Sequence, residues 1–168
     1  MSPIVIRLAS AADLPAINAI YNHYVPISTT TYHLEPIPLA EREQWFAGRE
    51  DIHPVTVAFL AEEPEGIVGW GSLHAFRGKV GYRFTVENSV YVHPERQRSG
   101  IGSAILVDQI ERARSLGLRA IVAGIDSEQA ASFALHAKHG FVEVGRFPQV
   151  GRKFDRWLDV IFMELLLE

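Results

Sequence analysis

The chain has 168 residues, 48% of them hydrophobic and 21% charged, and a formal net charge of −4. That length suits a single domain, 1–168, with a substantial core, and the acidic balance speaks against a general nucleic-acid binder. The sequence contains no cysteine, which excludes disulfides, thiolate metal sites and a cysteine nucleophile.

Residues 4–8 alternate weakly and predict a first strand. Ser10 precedes Asp13 by three positions, a capping box with Asp in place of Glu. The helix that follows, Ala11 to Tyr24, places Leu14, Ile17, Ile20 and Tyr21 on one face. Val25 to Pro38 is rich in Thr and Pro and predicts an exposed loop. Leu39 to Arg49 predicts a short helix that buries Trp45 and Phe46. Residues 55–61 alternate as a strand, and Glu62-Glu63-Pro64-Glu65-Gly66 predicts a hairpin turn. Ile67 to Phe76 returns as a strand, residues 77–81 turn, and Tyr82 to Val92 is a third antiparallel strand. Ile101 to Leu116 has helical spacing, with Leu106, Ile110 and Ala113 inward and Gly117 as its C-terminal cap. Leu118 to Ile125 is nearly all apolar, as in a strand covered on both faces. A helix over Glu128 to His139 ends at Gly140. Phe141 to Arg146 predicts a strand, Gly151-Arg152-Lys153 a basic loop, and Trp157 to Leu167 a final strand. No apolar run reaches the ~18 residues of a membrane span, and the N-terminus opens on a strand-like pattern rather than a signal peptide. A cytoplasmic protein with no membrane partner is expected. The element order predicts an α+β layer structure with helices on the faces of one sheet.

One stretch carries more information than the rest. Val90-Tyr91-Val92-His93-Pro94 ends a β-branched run at a proline, and Glu95-Arg96-Gln97-Arg98-Ser99-Gly100-Ile101-Gly102 leads into a helix. The order builds a strand, a tight turn and a helix N-terminus with free N–H groups. Together with the helix dipole, Arg96 and Arg98, those groups suit a pyrophosphate. A dinucleotide fingerprint would need a third glycine where Ile105 stands, and a P-loop would need Gly-Lys followed by Ser or Thr.

Gln97-x-x-Gly100-x-Gly102, entered from a strand and leaving into a helix, resembles the acetyl-CoA-binding motif of the GNAT superfamily of N-acetyltransferases. Thr85 to Val92, the run from Gly151 to Asp159 and Asn22-His23-Tyr24 with Ser28-Thr29 resemble its phosphinothricin and methionine sulfoximine acetyltransferase branch. The resemblance spans nearly the whole chain. It implies a GNAT-type acyl-CoA N-acyltransferase fold, a mixed and mostly antiparallel central sheet flanked by helices. It implies acetyl-CoA as co-substrate, with no metal. The backbone of Val90, Tyr91 and Val92 would hold the pantetheine arm, and Gln97, Arg98, Ser99, Gly100, Ile101 and Gly102 the pyrophosphate. Gln129 and Ser132 stand where the family usually has Asn-x-x-Ser and are expected to contact the arm. Phe141 is expected beside it.

Acetyl transfer to an amine requires a base, an oxyanion donor and a departing thiolate, and no enzyme nucleophile. Glu87, a carboxylate in mid-strand, is the candidate base, since partial burial raises its pKa. It also occupies the position of the branch's assigned base. A backbone N–H near Val92 is the candidate oxyanion donor. His136 fills the slot where many family members carry a tyrosine and is the candidate acid. His139 is expected to serve as a surface residue favourable to the helix dipole. For an amino-acid acceptor, Arg77 and Arg83 offer guanidinium forks for its carboxylate. Thr29, Thr30 and Thr31 offer hydroxyls, Tyr32 or Phe76 an apolar wall, and Lys153 and Trp157 complete the expected site. The branch implies a homodimer and a small amine substrate such as phosphinothricin, methionine sulfoximine or methionine sulfone. A peptide N-terminus or an aminoglycoside as acceptor, or an acetyl-CoA-binding module without catalysis, are the alternatives.

Overall fold

A computed structural model describes residues 2–168; Met1, which the expected 1–168 domain includes, lies outside them. Seven strands form one sheet in the order β1-β2-β3-β4-β5-β7-β6. They are β1 Ile4–Leu8, β2 Val55–Leu60, β3 Glu63–Ala75, β4 Thr85–Val92, β5 Ala120–Asp126, β6 Val142–Lys153 and β7 Arg156–Leu166. Among the described residues, only β4 and β5 pair in parallel; every other neighbour is antiparallel. The helices are α1 Leu14–Tyr24, α2 Leu39–Ala47, α3 Ile101–Ser115 and α4 Ala130–Lys138. Among the described residues, no helix is long and apolar enough to cross a membrane.

Strand alternation assigns the helices to opposite faces. Val55, Val57 and Trp70 pack with Leu14, Ile17, Ile20 and Tyr21, so α1 and α2 cover one face. Ala58, Val68, Leu73 and Val86 face the other way, onto α3 and the residues beside α4. The capping box at the start of α1 is present in its return half. Ser10 N–H donates to Asp13 Oδ2 at 2.7 Å, and Arg7 grips the same carboxylate with two bonds of 2.7 and 2.8 Å. That guanidinium holds the Asp13 pKa down at about 2.

Several boundaries differ from the sequence reading. The predicted basic loop 151–153 is strand: β6 runs on to Lys153, and the hairpin turns at Phe154 and Asp155, with φ of 52° and 57°. Two positive φ angles make a tight turn that matches the strand twist, but its residues lack the Asn-Gly signature. The first hairpin turns at Ala61 and Glu62, since Leu60 pairs with Glu63, and residues 64–66 fall in an irregularity of β3. Tyr82 ends a 3-10 turn, and β4 begins only at Thr85. In α2 the buried residue is Arg42, whereas Trp45 and Phe46 are partly exposed.

Helix α3 sits close to β3 because Gly69 and Gly71 have no side chains. A Cβ on Gly71 would lie 2.5 Å from Gln109 Nε2 and 2.6 Å from Ile105 Cγ2. Gly71→Ala should therefore cost about 1–3 kcal/mol, as overpacking does. A urea titration should show a lower midpoint, and an unchanged one would mean α3 shifts freely.

Candidate active site

The pairing of β4 with β5 begins at Thr85↔Ala120 and ends at Glu87↔Val122. Beyond that point the strands part, while β4 stays paired to β3 as far as Gly69↔Val92. Antiparallel pairs alternate in which edge their backbone groups face. His93 N–H donates to Val68 O at 2.8 Å. The N–H and C=O of Val90 and Val92 therefore point away from β3, into the gap. The Val92 carbonyl takes the Tyr24 hydroxyl at 2.6 Å, and Gln97 Nε2 donates to that hydroxyl at 2.9 Å.

The cleft continues from this gap to the start of α3. Gly100 is the N-cap with φ 85°, and Arg98 before it has φ 58°. Ala104 N–H closes the first helical bond onto Gly100 O, which leaves the N–H groups of Ile101, Gly102 and Ser103 without intrahelical acceptors. A Cβ on Gly102 would stand 3.4 Å from Leu135 and 3.5 Å from Val92, filling the cleft floor. The whole cleft, about 370 Å³, is lined by Tyr24, Thr30, Val90, Gly102, Gln129 and Ser132 among others. A strand with spare backbone groups leading to a helix N-terminus suits an extended arm ending in a pyrophosphate. The donor set therefore fits coenzyme A.

Side chains of the turn do less than the sequence suggests. Gln97 is committed to Tyr24. Arg96 turns away to Glu63, 3.0 Å distant. Ser99 donates to Arg96 O. Ile101 is buried in the core, so only its backbone is available. Arg98 is exposed at the cleft mouth.

Glu87 projects on the α1–α2 side of the sheet. Its Oε2 lies 3.8 Å from His74 Nε2, and a Cβ on Gly124 would stand 3.2 Å from its Oε1. Gly124 thus leaves room for the carboxylate. Burial raises the Glu87 pKa and lowers that of His74 to about 4, so His74 is neutral near pH 7.

His136 on α4 is 4% exposed. Its Nδ1–H donates to Ser132 O at 2.8 Å, and its Nε2 faces Asn88 Nδ2 at 3.1 Å. Asn88 also donates to Gln109 Oε1 at 3.2 Å. Burial lowers the His136 pKa. At neutral pH the ring therefore keeps its one proton on Nδ1, bonded to the helix. Asn88 Oδ1 is buried without a hydrogen-bond partner at the point where β4 leaves β5, and Asn88 and His136 both line the gap. Phe141 packs edge-on against His136, 5.0 Å between ring centres, as a core residue. His139 is tied to the start of α3 through Ser103 Oγ at 2.7 Å rather than free at the surface.

The predicted loop 25–38 is clamped over the cleft. Asp126, at the end of β5, accepts from Thr29 at 2.9 Å and from Tyr32 at 2.5 Å. Gln129 Nε2 donates to Thr29 at 2.9 Å. Buried Lys153 donates to Ser28 O at 2.7 Å and Thr31 O at 2.6 Å, so it fastens the loop instead of facing a substrate. Thr30 lines the cleft, whereas Thr29 belongs to the clamp and Thr31 bonds Tyr21. Arg77, Arg83 and Phe76 do not line the cleft or the two cavities beside β4. Arg77 is exposed and stacks on Phe76 and Tyr82, and Arg83 is exposed over Phe84. Trp157 is exposed under Arg152.

Sequence reasoning missed Tyr24, Asn88, Gln109 and Asp126 as parts of this site. Asn88 had a signal, since asparagine is disfavoured inside a strand. A second cavity, about 430 Å³, lies on the α1–α2 face between Arg42, Trp45, Trp70, His74, Ser89 and Tyr91.

The profile of the Acetyltransferase (GNAT) family matches residues 17–141. An L-methionine sulfoximine/L-methionine sulfone acetyltransferase of Pseudomonas paraeruginosa is 44% identical over 164 residues, 97% of this chain and 94% of that protein. The yncA structure from Salmonella typhimurium, solved with its cofactor acetyl-CoA, superposes with a TM-score of 0.92 at 40% identity, covering 98% of this chain and 94% of the other. A phosphinothricin acetyltransferase from Sinorhizobium meliloti, in complex with acetyl-CoA, gives 0.93 at 36% identity, covering 99% and 89%. The parted strands, the glycine turn and these likenesses agree: the chain belongs to the GNAT family of acetyltransferases.

Proposed function

We propose that this chain transfers the acetyl group of acetyl-CoA to the primary amine of a small amino-acid-like acceptor. Methionine sulfone, methionine sulfoximine and phosphinothricin are the reference substrates. The observation that carries the reading is the parting of β4 from β5 beside Glu87. It brings a backbone groove and a half-buried carboxylate to the same point.

In this reading the N–H groups of Ile101, Gly102 and Ser103 hold the pyrophosphate, with Arg98 at the mouth. The backbone of Val90 and Val92 lies along the pantetheine arm, between Gln129 and Ser132 on one side and Thr30 on the other. Glu87 accepts a proton from the acceptor ammonium. The free amine attacks the thioester carbonyl, and the Val92 N–H faces the oxygen as it becomes negative. The C–S bond then breaks. The thiol of coenzyme A is acidic enough to leave as a thiolate, which takes the second amine proton. His136 acts as a positioning residue: it fixes Asn88 where the strands part.

Turnover with the three reference amines, read as coenzyme A release, tests the reaction. A failure of all three to be acetylated would sink the substrate class. Glu87→Gln should lower kcat by about 10²–10⁴-fold, the usual worth of a positioned base, with the KM for acetyl-CoA unchanged. The base works only when ionised, and burial has raised its pKa. Wild-type activity should therefore fall as pH drops through that raised value, and this acid limb should vanish in the variant. A retained limb would assign it to another group.

We read the chain also as a homodimer. Edge strand β6, its turn and the start of β7 leave Phe147 50%, Val150 54%, Phe154 47% and Trp157 61% exposed, apolar side chains at an open sheet edge of the kind that marks an interface. Light scattering should give twice the monomer mass, and Phe147→Asp with Trp157→Asp should halve it. A monomeric wild type would refute the assembly.

A further inference from the structure

Glu87 stands between two strands, and its two oxygens meet different surroundings. Oε1 lies toward β5, in the notch where a Cβ on Gly124 would stand 3.2 Å away. Gly124 also lines the gap in which the strands part. Oε2 lies toward β3, 3.8 Å from His74 Nε2. Among the described residues, His74 is the one basic side chain in ion-pair range of this carboxylate. The last bond of a glutamate side chain turns over a broad range. A carboxylate that must take a proton at one oxygen therefore works best with its other oxygen held by a further group.

The fold brings His74 to that place. His74 and Glu87 are direct partners in the β3–β4 ladder, so both side chains rise from one face as close neighbours. Arg49 Nη2 donates to Leu73 O at 2.9 Å and pins the end of β3 next to the ring. Burial, and then Arg49 and His53, disfavour the imidazolium, so the ring is neutral near pH 7. A neutral ring carries one N–H and one lone pair. With its proton on Nε2 it donates to a carboxylate without forming an ion pair, whereas a cation there would make Glu87 a weaker base. At 3.8 Å the pair stands just beyond hydrogen-bond length, and contacts to a catalytic base often tighten only when substrate is bound.

We propose that His74 is a positioning residue for the base: as the acceptor binds, its Nε2–H closes onto Glu87 Oε2 and leaves Oε1, beside the gap, to take the ammonium proton. The ring keeps its own proton throughout, and the proton removed from the acceptor ends on Glu87. This role rests on the reading of Glu87 as the base of acetyl transfer.

Steady-state kinetics with methionine sulfone tests the assignment. His74→Leu should lower kcat at least about tenfold, the scale of one hydrogen bond to a charged group, with the KM for acetyl-CoA unchanged. His74→Gln, whose amide nitrogen falls near the place of Nε2, should recover most of that loss. His74→Asn, whose amide falls near Nδ1, should not. In a Glu87→Gln background, His74→Leu should cost less than about twofold more, because the two residues act as a unit. Full kcat in His74→Leu would overturn the proposal. Equal losses in the Leu and Gln variants, or an undiminished loss in the Glu87→Gln background, would make His74 a packing residue and overturn it too. Should His74→Leu fail to fold, the Asn and Gln variants decide, and equal activity in those two overturns the role. Nitrogen NMR of the His74 ring, with coenzyme A and methionine sulfone bound, reads the positioning without turnover. The proton should sit on Nε2, and a proton on Nδ1 would overturn it. The two readings fail separately. A Glu87→Gln enzyme as fast as the wild type would sink the base itself, whereas a slow Glu87→Gln beside a fully active His74→Leu would sink the positioning alone.

Discussion

Three residues of parallel pairing, ending at Glu87↔Val122, set the geometry on which everything else in this protein depends. A central strand normally spends its backbone groups on both neighbours. Here β4 keeps one neighbour and loses the other halfway along its length. One of the freed carbonyls is taken by Tyr24, and the rest of that edge borders the cleft. The sheet thus contains an internal edge, shielded from other chains by α4 and the clamped loop, yet available to a ligand that carries its own amides.

The two faces of the sheet divide the work. On the α3–α4 side lie the glycine turn, Asn88 and His136. On the α1–α2 side lie Glu87, His74 and the aromatic cavity. The gap between β4 and β5 joins them. Polar side chains hold it to shape: Gln109 reaches Ser89 O at 2.9 Å and Asn88 at 3.2 Å, and Asn88 meets His136. Such a chain of buried bonds defines one arrangement, because breaking any member strands the next.

Much of this was legible in the sequence, for reasons that differ by region. The turn from Val92 to Gly102 could be read because proline, glycine and a change of period mark its boundaries. Glu87 stood out as a charge within a β-branched run. The family resemblance added the fold and the co-substrate. What stayed hidden was long-range. Nothing local shows that Lys153 reaches back to Ser28 and Thr31, or that Tyr32 lies so close over Gly151 that a Cβ there would meet its ring at 2.3 Å. The sequence reading buries Trp45 and Phe46 in the second helix, whereas the structure buries Arg42. Its burial arises from rings contributed by α1, α2 and β3 together, a tertiary fact. Arg77 and Arg83 stand exposed on the turn before β4, stacked on Phe76, Tyr82 and Phe84.

The strand order has a consequence for how the protein comes into being. β7, last in the chain, lies between β5 and β6 rather than at an edge. Until it is made, the hairpin partner that carries Lys153 has nothing to pair with, and the loop over the cleft lacks its fastening. During synthesis from the N-terminus, the glycine turn and Glu87 leave the ribosome well before the element that locks them together. The nascent chain therefore passes through a stage in which its chemistry-bearing residues are all present but unassembled.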